Sequence, residues 1–304
     1  MLAQRAGARE NARDVPRGRL LLLLALAGCD DSAPLRAELP LQVAHASTVG
    51  RAPHPAARRC PSDMVDVAGR FCVDRFETSL TGIAAGRQLS PYYNPTPLLA
   101  ERDHHLWEYQ APRMGSTAAR ETPLPELPAW QLAPGVKYRA ESKRGRIPNA
   151  YLDLDNAREA CANAGKRLCT HEEWLMACRG QAGTRHPYGE HYEPGRCNVA
   201  RPLHPGGVLH GKTAGGYLDP RLSQVKLHGK PLLERSGERV ACKSVWGDDA
   251  VYDMVGNLDE WIDDPGGTFL GGFYARDTAY GCDMRVTVHS ADYYDYSIGA
   301  RCCR

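Results

Sequence analysis

The sequence predicts a loop-rich α+β domain with little regular secondary structure, stapled by disulfides, and three observations carry that prediction. Glycine and proline are frequent, 30 and 22 of 304 residues, and interrupt most segments before a long period can develop. Two stretches carry complete helix signals, and the other apolar pieces are short and strand-like. Eleven cysteines offer a rigidity that regular structure does not supply here. A chain of this length holds one large domain or two small ones and buries a substantial core. No internal repeat and no clear second domain is visible.

The N-terminal residues give the compartment. Arg13, Arg17 and Arg19 precede the apolar run LLLLLALA, Leu20 to Ala27, which is too short to span a bilayer as a helix and suits the core of a signal peptide. The run ends in Leu26-Ala27-Gly28-Cys29, which resembles a bacterial lipobox, whose cysteine is acylated and becomes the first residue of the mature protein. Residues 1–29 are expected to be a lipoprotein signal peptide, residues 30–59 a flexible tether of alanine, proline and polar residues, and residues 60–304 the domain. The expected product is an exported bacterial lipoprotein, held to the bilayer through acylated Cys29 and facing the periplasm or cell surface. Setting Cys29 aside leaves ten cysteines, an even number that allows up to five disulfides in an oxidising compartment.

Within the domain, CPSDMVDVAGRFCVDRFETS from Cys60 alternates apolar residues as short strands do, around a turn at Gly69-Arg70. Thr81 to Ile147 is proline-rich and aromatic with weak periodicity, the pattern of long surface loops. In LDLDNAREACANAGKR, Ala157, Ala160, Cys161 and Ala164 share a helical face, with Asp153 or Asp155 as N-cap and Gly165 as the C-terminal stop. In CTHEEWLMACRG, Thr170 and Glu173 make a capping box, Trp174, Ala177 and Cys178 the buried face, and Gly180 the stop. Cys161 and Cys178 thus face the core. Beyond them only short strand-like pieces follow: VYDMV, TFLGGFYA and the ending IGARCCR.

Some function classes are excluded. A net charge of +2 without a basic block gives nucleic acid nothing to bind. GGVLHGKT, Gly206 to Thr213, satisfies the phosphate-loop pattern, but RPLHP before it is no buried strand and AGGYLDP after it forms no helix. It is read as a surface loop, without a nucleotide. VYDMVGNLDEW, Val251 to Trp261, sets Asp253, Asp259 and Glu260 around a Gly-Asn turn. That arrangement suits a metal loop, an acid/base pair, or a solvated turn with a tryptophan anchor.

Several blocks resemble, in order, the formylglycine-generating sulfatase-modifying family: FCVDRFETS, AGKRLCTHEEWLMACRG, HPYGEHYEPGRCN, VYDMVGNLDEW, FLGGFYA and SIGARCC. The match runs from about Cys60 to Arg304. The resemblance implies a loop-rich α+β fold related to C-type lectins. It also implies that VYDMVGNLDEW wraps a structural calcium ion, with ligands from the Asp253 and Glu260 side chains and the Gly256 and Leu258 carbonyls, a set of hard oxygens suited to that ion. A second family calcium site would use Asn198 and the Val199 carbonyl, but its other half, near Gly215-Gly216-Tyr217, lacks the aspartate. The resemblance pairs Cys161 with Cys302 and Cys178 with Cys282. Of the remaining six cysteines, Cys60 and Cys72 are assigned to a local hairpin staple, and Cys169, Cys197, Cys242 and Cys303 stay unassigned.

The family's oxidases bind copper through two cysteines after the Gly-Gly strand. Here that interval reads GFYARDTAYGC, Gly272 to Cys282, with Arg276 and the Gly281 region at the expected positions. Copper(I) requires soft thiolates, so copper catalysis is not expected. Iron is not expected either, since the iron-dependent relatives take histidines from a separate helical domain. His289 with Asp292, and His204 with His210, are the local alternatives. Two readings remain. One is a membrane-anchored, calcium-stabilised, non-catalytic binding or scaffold module, with a groove of Arg276, Tyr280, Arg285, His289 and Arg301 for a peptide, protein or glycan. The other is a metal-dependent oxidase, using copper or non-haem iron, that acts on a peptide or small thiol.

Overall fold

The computed structural model describes residues 60–304; the apolar run, Cys29 and the tether lie outside the described residues. The first hairpin is set by its turn. In the three-residue connection 68–70, Ala68 and Gly69 both take positive φ, 55° and 69°, and Arg70 N donates to the Val67 carbonyl. The turn folds β1 (Met64–Val67) onto β2 (Phe71–Asp74), and the Cys60–Cys72 disulfide closes the hairpin. β3 (Thr78–Gly82) pairs antiparallel with β4 (Tyr138–Ser142).

The segment between β3 and β4 is not the run of loops that its composition suggested. It contains α1 (Pro97–Gln110), the short α2 (Thr117–Glu121) and a 3-10 turn at Ala129–Leu132. Pro97 sits where a missing N–H costs nothing. α1 escapes a periodicity search because its buried face is Ala100, Asp103 and Trp107: a small residue, a carboxylate and one tryptophan. Asp103 is accepted into the interior because Arg102 and the Tyr294 hydroxyl both donate to it.

The two expected helices form as α3 (Leu154–Asn163) and α4 (His171–Arg179), separated by β5 (Arg167–Leu168). Asp153 is the N-cap of α3 and accepts from Asn156 N at 2.7 Å. Thr170 and Glu173 make the reciprocal capping box of α4. GGVLHGKT is a second departure, since Pro205–His210 forms α5, capped by His204. Gly206 to His210, read as a loop, lie in this short helix, and its Leu209 is buried.

Short strands complete the fold. β6 (Lys226–Leu227) pairs with β7 (Lys230–Pro231), and β8 (Lys243–Trp246) with β9 (Asp249–Tyr252). β10 (Asp259–Trp261), β11 (Phe269–Leu270), β12 (Arg285–Val286) and β13 (Ile298–Ala300) form one sheet in the order β12-β11-β10-β13, with β10 and β13 parallel. β14 (Cys302–Cys303) lies inside the other four-stranded sheet, β1-β2-β14-β5. The domain is therefore α+β with short elements throughout.

All ten cysteines of the described residues are paired. Cys161–Cys302 and Cys178–Cys282 are present, and the four unassigned cysteines form Cys169–Cys303 and Cys197–Cys242. Five disulfides indicate an exported protein. No helix among the described residues is long and apolar enough to cross a membrane.

Candidate functional site

VYDMVGNLDEW leaves β9, turns through residues 253–258 and enters β10. Asp253, Gly256 and Asn257 take positive φ, 58°, 85° and 62°, which folds the loop tightly. Residues 253 to 261 are all buried, so the solvated-turn alternative is excluded. Glycine is required at 256 because a Cβ there would stand 2.4 Å from the Asn198 carbonyl oxygen. The Cys197–Cys242 disulfide fixes the contact from both sides. Asp253 N donates to the Cys242 carbonyl, and Asn257 N to that of Asn198.

The loop closes over a polar centre that sequence reading did not find. Asn257 Nδ2 donates to Glu77 Oε2 (2.7 Å) and the Glu234 carbonyl, while its Oδ1 accepts from Asn198 Nδ2 and Glu234 N. Glu77 also accepts from Leu258 N and the Ser236 hydroxyl. Asp253 Oδ2 accepts from Gly237 N. Glu260 accepts from Trp174 Nε1 at 2.7 Å and forms an ion pair with Arg301 at 2.8 Å. Glu77, Asp253, Glu260 and Arg301 are all buried, so three carboxylates face one guanidinium.

That imbalance appears in their titration. Burial pushes the Glu77 carboxyl well above its ordinary range, and repulsion from Asp253 and Glu260 adds to the effect. Burial likewise lifts Asp253 to about 7, against the opposing hydrogen bond from Gly237 N and the Arg301 charge. A buried acidic cluster with uncompensated charge is a setting in which a hard cation is stabilised. Among the described residues no three His, Cys, Asp or Glu side chains converge as a metal site. A calcium ion would therefore depend on carbonyl and amide oxygens. One such oxygen is at hand, since Asn198 Oδ1 is buried without a hydrogen-bond partner. That oxygen fits a hard cation such as calcium, whereas both Glu260 carboxylate oxygens are already engaged by Arg301 and Trp174. Asn198 Nδ2 reaches the Leu232 carbonyl, so the segment closing over Asn198 is 232–234. Gly215 and Gly216 pack instead on Lys212 and His210.

The expected groove is not assembled. Arg301 is completely buried, and its guanidinium donates to Glu260, the Asp74 carbonyl and the Tyr252 carbonyl. It is a core residue. Arg276 forms an ion pair with Asp259 at 2.7 Å. Tyr280 and Arg285 are exposed, and His289 stacks on Tyr293 at 3.8 Å between ring centroids. The iron alternatives also fail to converge. His204 reaches Gly206 N and the Tyr296 hydroxyl, His210 reaches Asp219, and Asp292 accepts from Ser290.

A cavity of ≈ 940 Å³ lies on another face. Ser236 and Gly237, which bind Glu77 and Asp253, form part of its wall. The three carboxylates behind that wall do not line it, so the acid/base alternative has no access to a substrate there.

Comparison with known proteins gives the family. A family model described as the sulfatase-modifying factor enzyme 1-like domain matches residues 108–287. The formylglycine-generating enzyme of Thermomonospora curvata is 28% identical over 160 residues, covering 48% of this chain and 50% of that one. A Bos taurus protein named inactive C-alpha-formylglycine-generating enzyme 2 is 31% identical over 128 residues, covering 42% of this chain and 34% of its own. The chain thus spans half or less of each of these relatives. Among solved structures, PvdO from Pseudomonas aeruginosa aligns with a TM-score of 0.36 at 14% identity, over 77% of this chain and 80% of its own.

Proposed function

This chain belongs to the sulfatase-modifying factor enzyme 1-like family, and on that premise we propose that it is a non-catalytic binding or scaffold module, anchored to a membrane through acylated Cys29 and stabilised by calcium. The observation that carries the reading is the state of the cysteines. All ten in the described residues are held in disulfides, and residues 272–281 hold no cysteine where the resemblance places the copper ligands. Copper(I) takes soft thiolates, and this interval has none to give. Arg276, at one of those positions, is held by Asp259. The bovine relative, whose name declares it inactive, supports the same reading.

Calcium would be held by the Asp253 and Glu260 side chains with the Gly256 and Leu258 carbonyls. Of a second position the chain keeps Asn198 and the Val199 carbonyl, without the aspartate that would complete it. Bound at the first, the ion supplies positive charge to the buried acidic cluster. The rest of the work falls to the chain: Asn257 holds the loop, Gly256 admits the Asn198 carbonyl, and Arg301 fixes Glu260.

The test is metal content. Full-length protein made in an oxidising compartment and dialysed without chelator is expected to carry about one calcium per chain, with no stoichiometric copper or iron. Adding chelator is expected to remove stability. A site at a hundredfold excess over its Kd contributes about 2.7 kcal/mol, which for a domain of this size lowers Tm by roughly 5–10 °C when lost. Stoichiometric copper or iron, with oxygen consumed on a thiol-containing peptide, would replace this reading with the oxidase. For the anchor, labelled fatty acid is expected to be incorporated and to be lost in Cys29→Ser; equal labelling of that variant removes the lipoprotein assignment.

A further inference from the structure

We propose that the ≈ 940 Å³ cavity binds a small organic anion with an apolar body, such as a single-chain carboxylate. Its volume lies in the range of small-molecule sites. Ile147, Val208, Leu209, Val225 and Leu233 line it with aliphatic side chains. Around them stand four cations, Arg144, Lys226, Lys230 and Arg235, against two carboxylates, Glu234 and Glu238.

Those two carboxylates are already engaged. Glu234 forms ion pairs with Arg201 and Arg239, neither of which lines the cavity, and Glu238 accepts from Arg235 N. Arg144 and Arg235 are held in place through the Gly237 and Gly145 carbonyls, contacts that leave their positive charge uncompensated. Lys226 and Lys230 are exposed on the β6–β7 hairpin, and neither is ion-paired among the described residues. The cavity therefore joins apolar walls to a positive rim, which favours a ligand with a hydrocarbon or aromatic body and one anionic head. A cation of the same body would meet the rim's repulsion.

The proposal deepens the binding-module reading and rests on it for its meaning. Its experiment is separate from the metal and oxidation assays, so failure here leaves that reading standing. Full-length protein is titrated with the anionic fluorophore 8-anilinonaphthalene-1-sulfonate, then challenged with decanoate and with decyltrimethylammonium. Saturable binding is expected, displaced by decanoate and not by the ammonium compound, and weakened by added salt. In Lys226→Glu/Lys230→Glu, at two exposed positions, affinity for the fluorophore is expected to fall by roughly tenfold or more. Unchanged affinity in that variant, equal displacement by the cationic amphiphile, or no saturable binding would each overturn the proposal.

Discussion

Replacing Arg301 with methionine is expected to lower the unfolding free energy by about 3–5 kcal/mol, the range found when one member of a buried ion pair is removed. The guanidinium is fully buried and joins Glu260 to the carbonyls of Asp74 and Tyr252. Methionine fills much of the space but leaves Glu260, Asp253 and Glu77 without an opposing charge. Urea denaturation in chelator, where bound metal cannot compensate, reads the loss as a lower midpoint at unchanged slope. In Arg301→Met/Glu260→Leu much of the stability is expected to return, because an apolar pair tolerates burial that a lone carboxylate does not. Trp174 Nε1 then lacks its acceptor, which withholds about 1 kcal/mol of the recovery. A loss under about 1 kcal/mol in the single variant, the scale of an exposed pair, would sink the assignment of Arg301 as the cluster's counter-charge.

The second large effect concerns the two disulfides of β14. Removing both is expected to abolish the folded state at 25 °C, whereas removing either one costs about 2–3 kcal/mol. Cys161–Cys302 and Cys169–Cys303 close loops of 141 and 134 residues. In the chain-entropy account each, acting alone, stabilises by about 5 kcal/mol. They close almost the same loop, however. With either bond in place the other closes a cycle of about nine residues, adding about 2.5 kcal/mol. The pair together contributes about 7–8 kcal/mol, comparable with the whole stability of an ordinary domain. The check is a double-mutant cycle on Cys161→Ala/Cys302→Ala, Cys169→Ala/Cys303→Ala and their combination. Simple additivity of the two losses would contradict the shared-loop account.

Much of this fold is legible in the sequence, and the failures have physical causes. α3 and α4 are legible because their caps are local: Asp153 and the Thr170–Glu173 box act within three residues. α1 is not, because its interior face is secured by a carboxylate whose partner, Tyr294, is distant in the chain. Glu77 sits in β2–β3 sequence that reads as an ordinary strand; its role depends on Asn257, Leu258 and Ser236, far along the chain. Arg301 belongs to the expected groove only by analogy with a lectin-like surface. The structure buries it between β13 and β14 because Glu260, on the neighbouring β10, supplies its charge. Cys60–Cys72 is legible as a local hairpin staple, but Cys169 and Cys197 meet Cys303 and Cys242 through tertiary contacts that spacing does not record.

The position of β14 between β2 and β5 also governs the order in which the domain is assembled. A chain emerging from its N-terminal side presents Val73 long before Cys303, its partner in the sheet. Cys60 and Cys72 can join at once, but Cys161, Cys169 and Cys178 emerge as neighbours whose native partners, Cys302, Cys303 and Cys282, are still to come. The nearest oxidising partner for each of the three is a wrong one. Early bonds among them must be opened again by thiolate attack before the native set can close. Maturation of this domain is thus paced by exchange chemistry in its compartment, and a host with weak disulfide isomerisation is a poor place to make it.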